Sequence, residues 1–169
     1  MKRTVILAVA VCLVPSLGPV TADAHSRGKR CHSVDADFKS QVTTEGCASP
    51  LGLCASGTIK HDSLLRGSMF VSINDMAQSA GMPGSEPPNV LSVSGERTLT
   101  PGRGGSLVAH VVGTAIVDES FNIQVFDELN LITGGTGRYE EAEGTLHVFG
   151  WATEPLGTFA GEISGTICY

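Results

Sequence analysis

Beyond its first two dozen residues the chain has no apolar run long enough to cross a bilayer as a helix, and no long stretch of apolar residues at helical spacing. These two absences exclude a helical membrane protein and a helix bundle. Basic side chains are scarce as well. With residues 1–24 set aside, 9 Lys and Arg face 16 Asp and Glu, a formal charge of −7. That balance favours solubility and argues against a nucleic-acid backbone as partner. Also missing are a Gly-x-Ser-x-Gly elbow, a His-Glu-x-x-His pair, calcium-loop spacing and any Cys-x-x-Cys pair. Hydrolase, calcium and zinc chemistry therefore lack their local signatures, and neither a metal nor a cofactor is expected.

What is present begins with an export signal. Lys2 and Arg3 supply a positive end, Thr4 to Val14 a short apolar run, and Ala22-Asp23-Ala24 a small-x-small cleavage site. Residues 1–24 are read as a secretory signal peptide and the mature protein as secreted or extracytoplasmic. Residues 25–46 are read as an N-terminal arm that could carry a first strand, with Arg27, Lys29 and Arg30 as a loose basic cluster. Residues 47–169 form the barrel domain. Cys12 leaves with the signal, so Cys31, Cys47, Cys54 and Cys168 remain, an even set that an oxidising compartment pairs in one of three ways. The preferred pairing is Cys47 with Cys54, closing a short Pro-Gly loop, and Cys31 with Cys168. On the chain-entropy model the second, closing nearly the whole chain, adds about 4 to 5 kcal/mol.

Short runs with period-two alternation recur between turn signals, the mark of strands with one buried face. In Gly67 to Met76, Met69, Val71 and Ile73 share a face; in Phe159 to Ile167, Phe159, Ile163 and Ile167 do. In Phe121 to Leu131 the same reading places Phe121, Ile123, Val125, Leu129 and Leu131 inward and Asn122, Gln124, Glu128 and Asn130 outward. Leu107 to Val117 is apolar on both faces apart from His110 and Thr114. It reads as a strand covered on both sides, or as a core strand whose outer face meets another chain. Ala77 to Asn89, rich in Gly and Pro, reads as an exposed loop. Seven or eight strands joined mostly by short connections predict an all-β fold, a single small antiparallel barrel.

One stretch is more specific. Ile132-Thr133-Gly134-Gly135-Thr136-Gly137-Arg138-Tyr139-Glu140-Glu141-Ala142-Glu143-Gly144 resembles the glycine-rich turn of the allene oxide cyclase and dirigent proteins, and Gly161 to Ile167 resembles their closing strands. The likeness lies mainly within residues 107–168. It implies an eight-stranded antiparallel barrel with an internal cavity, often dimeric or trimeric, and a cofactor-free cyclisation or stereochemistry-guiding role. The residues those families use in catalysis fall where the likeness fades, so no catalytic residue is assigned. The turn also has a physical reading. Gly134, Gly135 and Gly137 permit positive φ in a tight corner, Gly144 lets a strand start close to another backbone, and Tyr139 and Ala142, three apart, can both pack on the barrel end. A phosphate-cradling loop is disfavoured because a strand, not a helix, follows the glycines.

Four side chains are candidates for ligand binding or an interface: His110, His147, Phe149 and Trp151. The last three alternate on one strand face, either an aromatic cavity wall or an exposed patch at a subunit interface. The aliphatic residues suit the interior better, which favours the patch. His110 is read as a hydrogen-bonded core histidine. Glu140, Glu141 and Glu143 are read as solvated charge. Cleavage after Ala24 would make His25 the mature N-terminus, where copper chelation with a second histidine is conceivable; the barrel resemblance argues against it. The expected function is binding of a small apolar, amphipathic or lipid-like molecule in the barrel, or a surface interaction, without catalysis. The alternative is a cofactor-free isomerase or a stereochemistry-guiding protein.

Overall fold

The computed structural model describes residues 28–79, 89–120 and 122–169. The signal segment, His25, Arg27, Phe121 and most of the expected loop at 77–89 therefore lie outside the described residues. Eight strands follow one another: β1 (Cys31–Val42), β2 (Leu53–Lys60), β3 (Gly67–Gln78), β4 (Val90–Pro101), β5 (Leu107–Val117), β6 (Ile123–Gly135), β7 (Glu143–Thr153) and β8 (Thr158–Cys168). Each pairs antiparallel with its neighbour in sequence, and β8 pairs with β1 to close the barrel. The all-β, eight-stranded antiparallel barrel expected from the alternating runs is thus present. The first strand is a full stave: the barrel begins at Cys31 and takes in most of the segment read as an arm. Its alternation explains why. Val34, Ala36 and Phe38 are buried, while Asp35, Asp37, Lys39 and Gln41 face out.

The two ends of the barrel differ. One carries the connections at 61–66 and 102–106, the glycine-rich turn, Arg30 and Tyr169. Leu65, Tyr139 and Ala142 plug it, joining a core that includes Ile59, Leu99, Leu107, Leu146, Ile163 and Ile167. Asp62 shapes that plug: its Oδ1 accepts the backbone N–H groups of Leu64 at 2.7 Å and Leu65 at 2.8 Å. At the other end lie the connections 43–52 and 154–157, and among the described residues the buried apolar groups there include Cys54 and a small cluster of Leu91, Val93, Ala115 and Val117.

β6 corrects the sequence reading. Its pairing with β5 steps from Ile116 opposite Val125 to Val117 opposite Ile123, so Gln124 is an extra residue in the strand. An extra residue inverts every later side chain, because the strand period is two. Ile123 packs inside with Phe126, but from there Glu128, Asn130 and Ile132 point inward and Leu129 and Leu131 outward. The two leucines expected in the core are half exposed, at 50% and 53%.

Candidate functional site

The partly filled end of the barrel holds a cavity of about 90 Å³. Phe38, Phe126 and Phe159 form an aromatic wall, with Met69, Val93 and Ala115 among the other lining groups. Val42, 53% exposed, marks its rim. Glycine makes the aromatic wall possible. The ring of Phe126 lies over Gly150, where an added Cβ would stand 2.3 Å from ring carbon Cζ, and the ring of Phe38 lies over Gly161, where the distance to Cε1 would be 2.6 Å. Gly150 and Gly161 are register partners on β7 and β8, so the two rings occupy a patch of wall without side chains. Phe126 meets Phe159 edge-on, with centroids 5.7 Å apart, a favoured aromatic geometry.

One ion pair interrupts this apolar interior. Arg97 on β4, 2% exposed, reaches past β5 to β6, where Nη2 donates to Glu128 Oε2 at 2.6 Å and Nη1 to Asn130 Oδ1 at 2.9 Å. Arg97 and Glu128 both line the cavity. Gly113 on the intervening strand leaves room for the carboxylate: a Cβ there would come within 2.8 Å of Glu128 Cγ. The cluster is not fully satisfied, since Arg97 Nε and Asn130 Nδ2 are buried without a hydrogen-bond partner. Sequence reasoning missed all three residues. A signal existed for Arg97, which shares strand parity with Leu91, Val93 and Leu99 and so sits on the inward face. None existed for Glu128 and Asn130 without knowledge of the bulge.

The four residues singled out from sequence lie elsewhere, on the outer surface. His110, expected in the core, faces out from β5 beside Glu96 and Leu131 in the ladder, because the inward parity belongs to Leu107, Ala109 and Val111. His147 Nε2 lies 2.6 Å from Asp127 Oδ1, and both groups are more than half exposed. Phe149 and Trp151 stand side by side, with ring centroids 5.9 Å apart. Together with Val112, Leu129 and Leu131, the two rings give the outer face of β5–β7 an apolar patch, interrupted by His110, Asp127 and His147. The outer face of β1–β4 is unlike it, carrying Asp37, Lys39, Ser56, Thr58, Ser68 and Thr100. A barrel that crosses a membrane presents an apolar band all the way round. Among the described residues no helix is long and apolar enough to cross a membrane.

The glycine-rich turn closes the opposite end and contributes nothing to the cavity wall. Gly137 has φ of 61° and packs so close to Gly104 that a Cβ would stand 2.4 Å from its carbonyl oxygen. Gly134 and Gly144 also have positive φ, whereas Gly135 is required for closeness alone: its Cβ would lie 1.9 Å from the Ser106 carbonyl oxygen. The 3-10 turn Gly137–Tyr139 buries Tyr139 completely. The tyrosine hydroxyl accepts a hydrogen bond from Arg138 Nη2, which raises the guanidinium pKa above its ordinary value. Tyr139 packs edge-on against Tyr169. Glu140, Glu141 and Glu143 are exposed, and Glu143 pairs with Lys29 at 3.2 Å.

Both disulfides form as preferred from the sequence. Cys31–Cys168 joins register partners on β1 and β8. Cys47–Cys54 closes the 43–52 connection, and Cys54 lines the cavity. Ser49 braces the same loop, its hydroxyl donating to the Ile73 carbonyl and accepting from Leu51 N and Leu53 N. A scan of protein-family models, a search of curated proteins and a search of solved structures each return no match to this chain.

Proposed function

We propose that this is an exported binding protein that takes a small apolar molecule into the open end of its barrel, without catalysis. The observation that carries this reading is the aromatic-walled cavity, left where the core is thin and the rim is exposed. Its volume limits the ligand. Sites for drug-sized ligands occupy roughly 300–1,000 Å³, and an engineered cavity of about 150 Å³ accepts benzene. At about 90 Å³, this cavity suits one small ring that projects toward the rim, not an extended lipid chain. Nuclear magnetic resonance titration with toluene tests the reading. The expected result is saturable binding to the native protein and its loss in Ala115→Phe, which fills the cavity. Equal signals from the two proteins would discard it.

A second reading rests on Glu128. A buried carboxylate beside a cavity is what a cofactor-free isomerase of the allene oxide cyclase kind would need, since acid–base steps require a convergent polar group. Here one carboxylate oxygen is already engaged by Arg97, which favours the binder. The outer apolar face of β5–β7 adds a partner to either reading, a second copy of the chain in a dimer or trimer. Exposed aromatic and aliphatic side chains grouped in this way belong to protein contacts.

A further inference from the structure

We infer that the cavity selects uncharged ligands, and that Glu128 is the residue that sets this selection. The inference rests on the cavity-binding reading and adds a chemical class to it. Among the described residues, Arg97 and Glu128 are the only charged side chains lining the cavity, and their formal charges cancel across 2.6 Å. Both are almost completely removed from solvent, with side-chain exposures of 2% and 6%. The cavity therefore holds charge but no net charge.

Consider what each kind of ligand would meet. A carboxylate entering this space would be the second anion beside one guanidinium, desolvated by three phenyl rings and left without a cation of its own. To gain Arg97 it would have to displace Glu128, stranding a buried carboxylate in its place. An ammonium group faces the converse problem, because Glu128 is already held by Arg97. A charge moved out of water is tolerated only when paired and hydrogen-bonded, and each such ligand would leave one charge unpaired. A hydrocarbon, alcohol or ketone of the same size disturbs neither partner. It gains the contact with Phe38, Phe126, Phe159 and Met69 at no electrostatic cost.

Three near-isosteric probes separate these cases: benzyl alcohol, benzoate and benzylammonium, with toluene as the uncharged parent. Calorimetric titration of the native mature protein at neutral pH is expected to show benzyl alcohol binding about as well as toluene. Both charged probes should bind at least about tenfold more weakly, a difference of about 1.4 kcal/mol. Benzoate binding as tightly as benzyl alcohol would overturn the inference and leave the cavity reading intact. Failure of toluene as well would remove both. Glu128→Gln supplies an independent arm, since it keeps the side-chain shape and releases the charge of Arg97. Benzoate should then gain at least about tenfold relative to benzyl alcohol. An unchanged ratio in a folded variant counts against Glu128 as the selector. If the variant does not fold, the native comparison decides alone.

Discussion

Arg97 and Glu128 are buried together, and neither is tolerable without the other. A buried ion pair adds little to stability relative to apolar groups of the same volume, whereas a widowed buried charge is costly. Arg97→Met or Glu128→Leu alone is therefore expected to cost about 3–5 kcal/mol, and Arg97→Met/Glu128→Leu/Asn130→Leu, which also removes the buried amide that Arg97 serves, to equal or exceed the native protein by about 1–4 kcal/mol. Urea denaturation of the three variants checks this; single variants as stable as the native protein would sink it. Asp118 offers a second residue-scale test, in the connection between β5 and β6. Its carboxylate accepts Asn122 N at 2.9 Å, Asn122 Nδ2 at 3.1 Å, Ser120 N at 2.8 Å and Gln124 Nε2 at 3.1 Å. These bonds, that from the Asn122 backbone first, hold its pKa below the ordinary value. A group depressed in the folded state stabilises fully above its unfolded pKa of about 3.9 and loses that contribution as pH falls through the lower folded value. Carbon-detected titration should place the Asp118 midpoint below that of an unstructured aspartate, and Asp118→Asn should remove this acid-side dependence from the turn. A midpoint at or above the ordinary value contradicts the geometry.

Among the strands, the wall of the cavity depends on where side chains are missing. Gly150→Ala would drive a Cβ to 2.3 Å from Phe126 Cζ, so the ring must move or the strand must shift. The expected loss is about 1–3 kcal/mol, in line with overpacking, together with weaker toluene binding. Thr145→Ala, on the exposed face of the same strand, should stay within about 0.5 kcal/mol. Thermal melts and one binding titration compare the two; equal behaviour would show that the glycine is not structural. β8, and β3 as far as Ile73, could be read from sequence because unbroken alternation links each residue to its face. β6 could not. Its pairing with β5 skips two residues, Gln124 and Thr133; the extra residue at Gln124 is invisible to a period-two pattern, and apolar Leu129 and Leu131 made the wrong parity the more attractive one. What turns the strand the other way is nonlocal: Arg97, 31 residues from Glu128 and 33 from Asn130 in sequence, supplies their partner. His110 misled for a related reason, since a strand apolar on both faces does not announce which face is outside. The disulfides and the closed-end turn were legible because they follow from residue type and spacing, whereas the cavity arises from three rings contributed by three separate strands.

At the scale of the whole molecule, the two disulfides divide stability from shape. Cys31–Cys168 spans a sequence separation of 137 and Cys47–Cys54 one of 7. On the chain-entropy relation these loops correspond to about 5 and about 2.5 kcal/mol respectively. Cys31→Ser/Cys168→Ser should lower the denaturation midpoint by roughly twice as much as Cys47→Ser/Cys54→Ser, and the latter should show the larger loss of toluene affinity, because Cys54 lines the cavity. The reverse ranking in both measurements would count against this division. The apolar outer face predicts self-association: sedimentation velocity should show dimers or trimers that dissociate in Leu129→Asp/Leu131→Asp, and a native protein that remains monomeric contradicts it. The C-terminal residue completes the picture. Arg30 and Tyr169 exchange backbone hydrogen bonds at 3.0 and 3.1 Å, beside the disulfide that joins β1 to β8 and at the plugged end of the barrel. Anything attached after Tyr169, whether a tag, a fused domain or a solid support, leaves from the plugged end of the barrel. The exposed rim of the cavity lies at the opposite end, so a molecule immobilised through its C-terminal residue keeps that rim clear of the support.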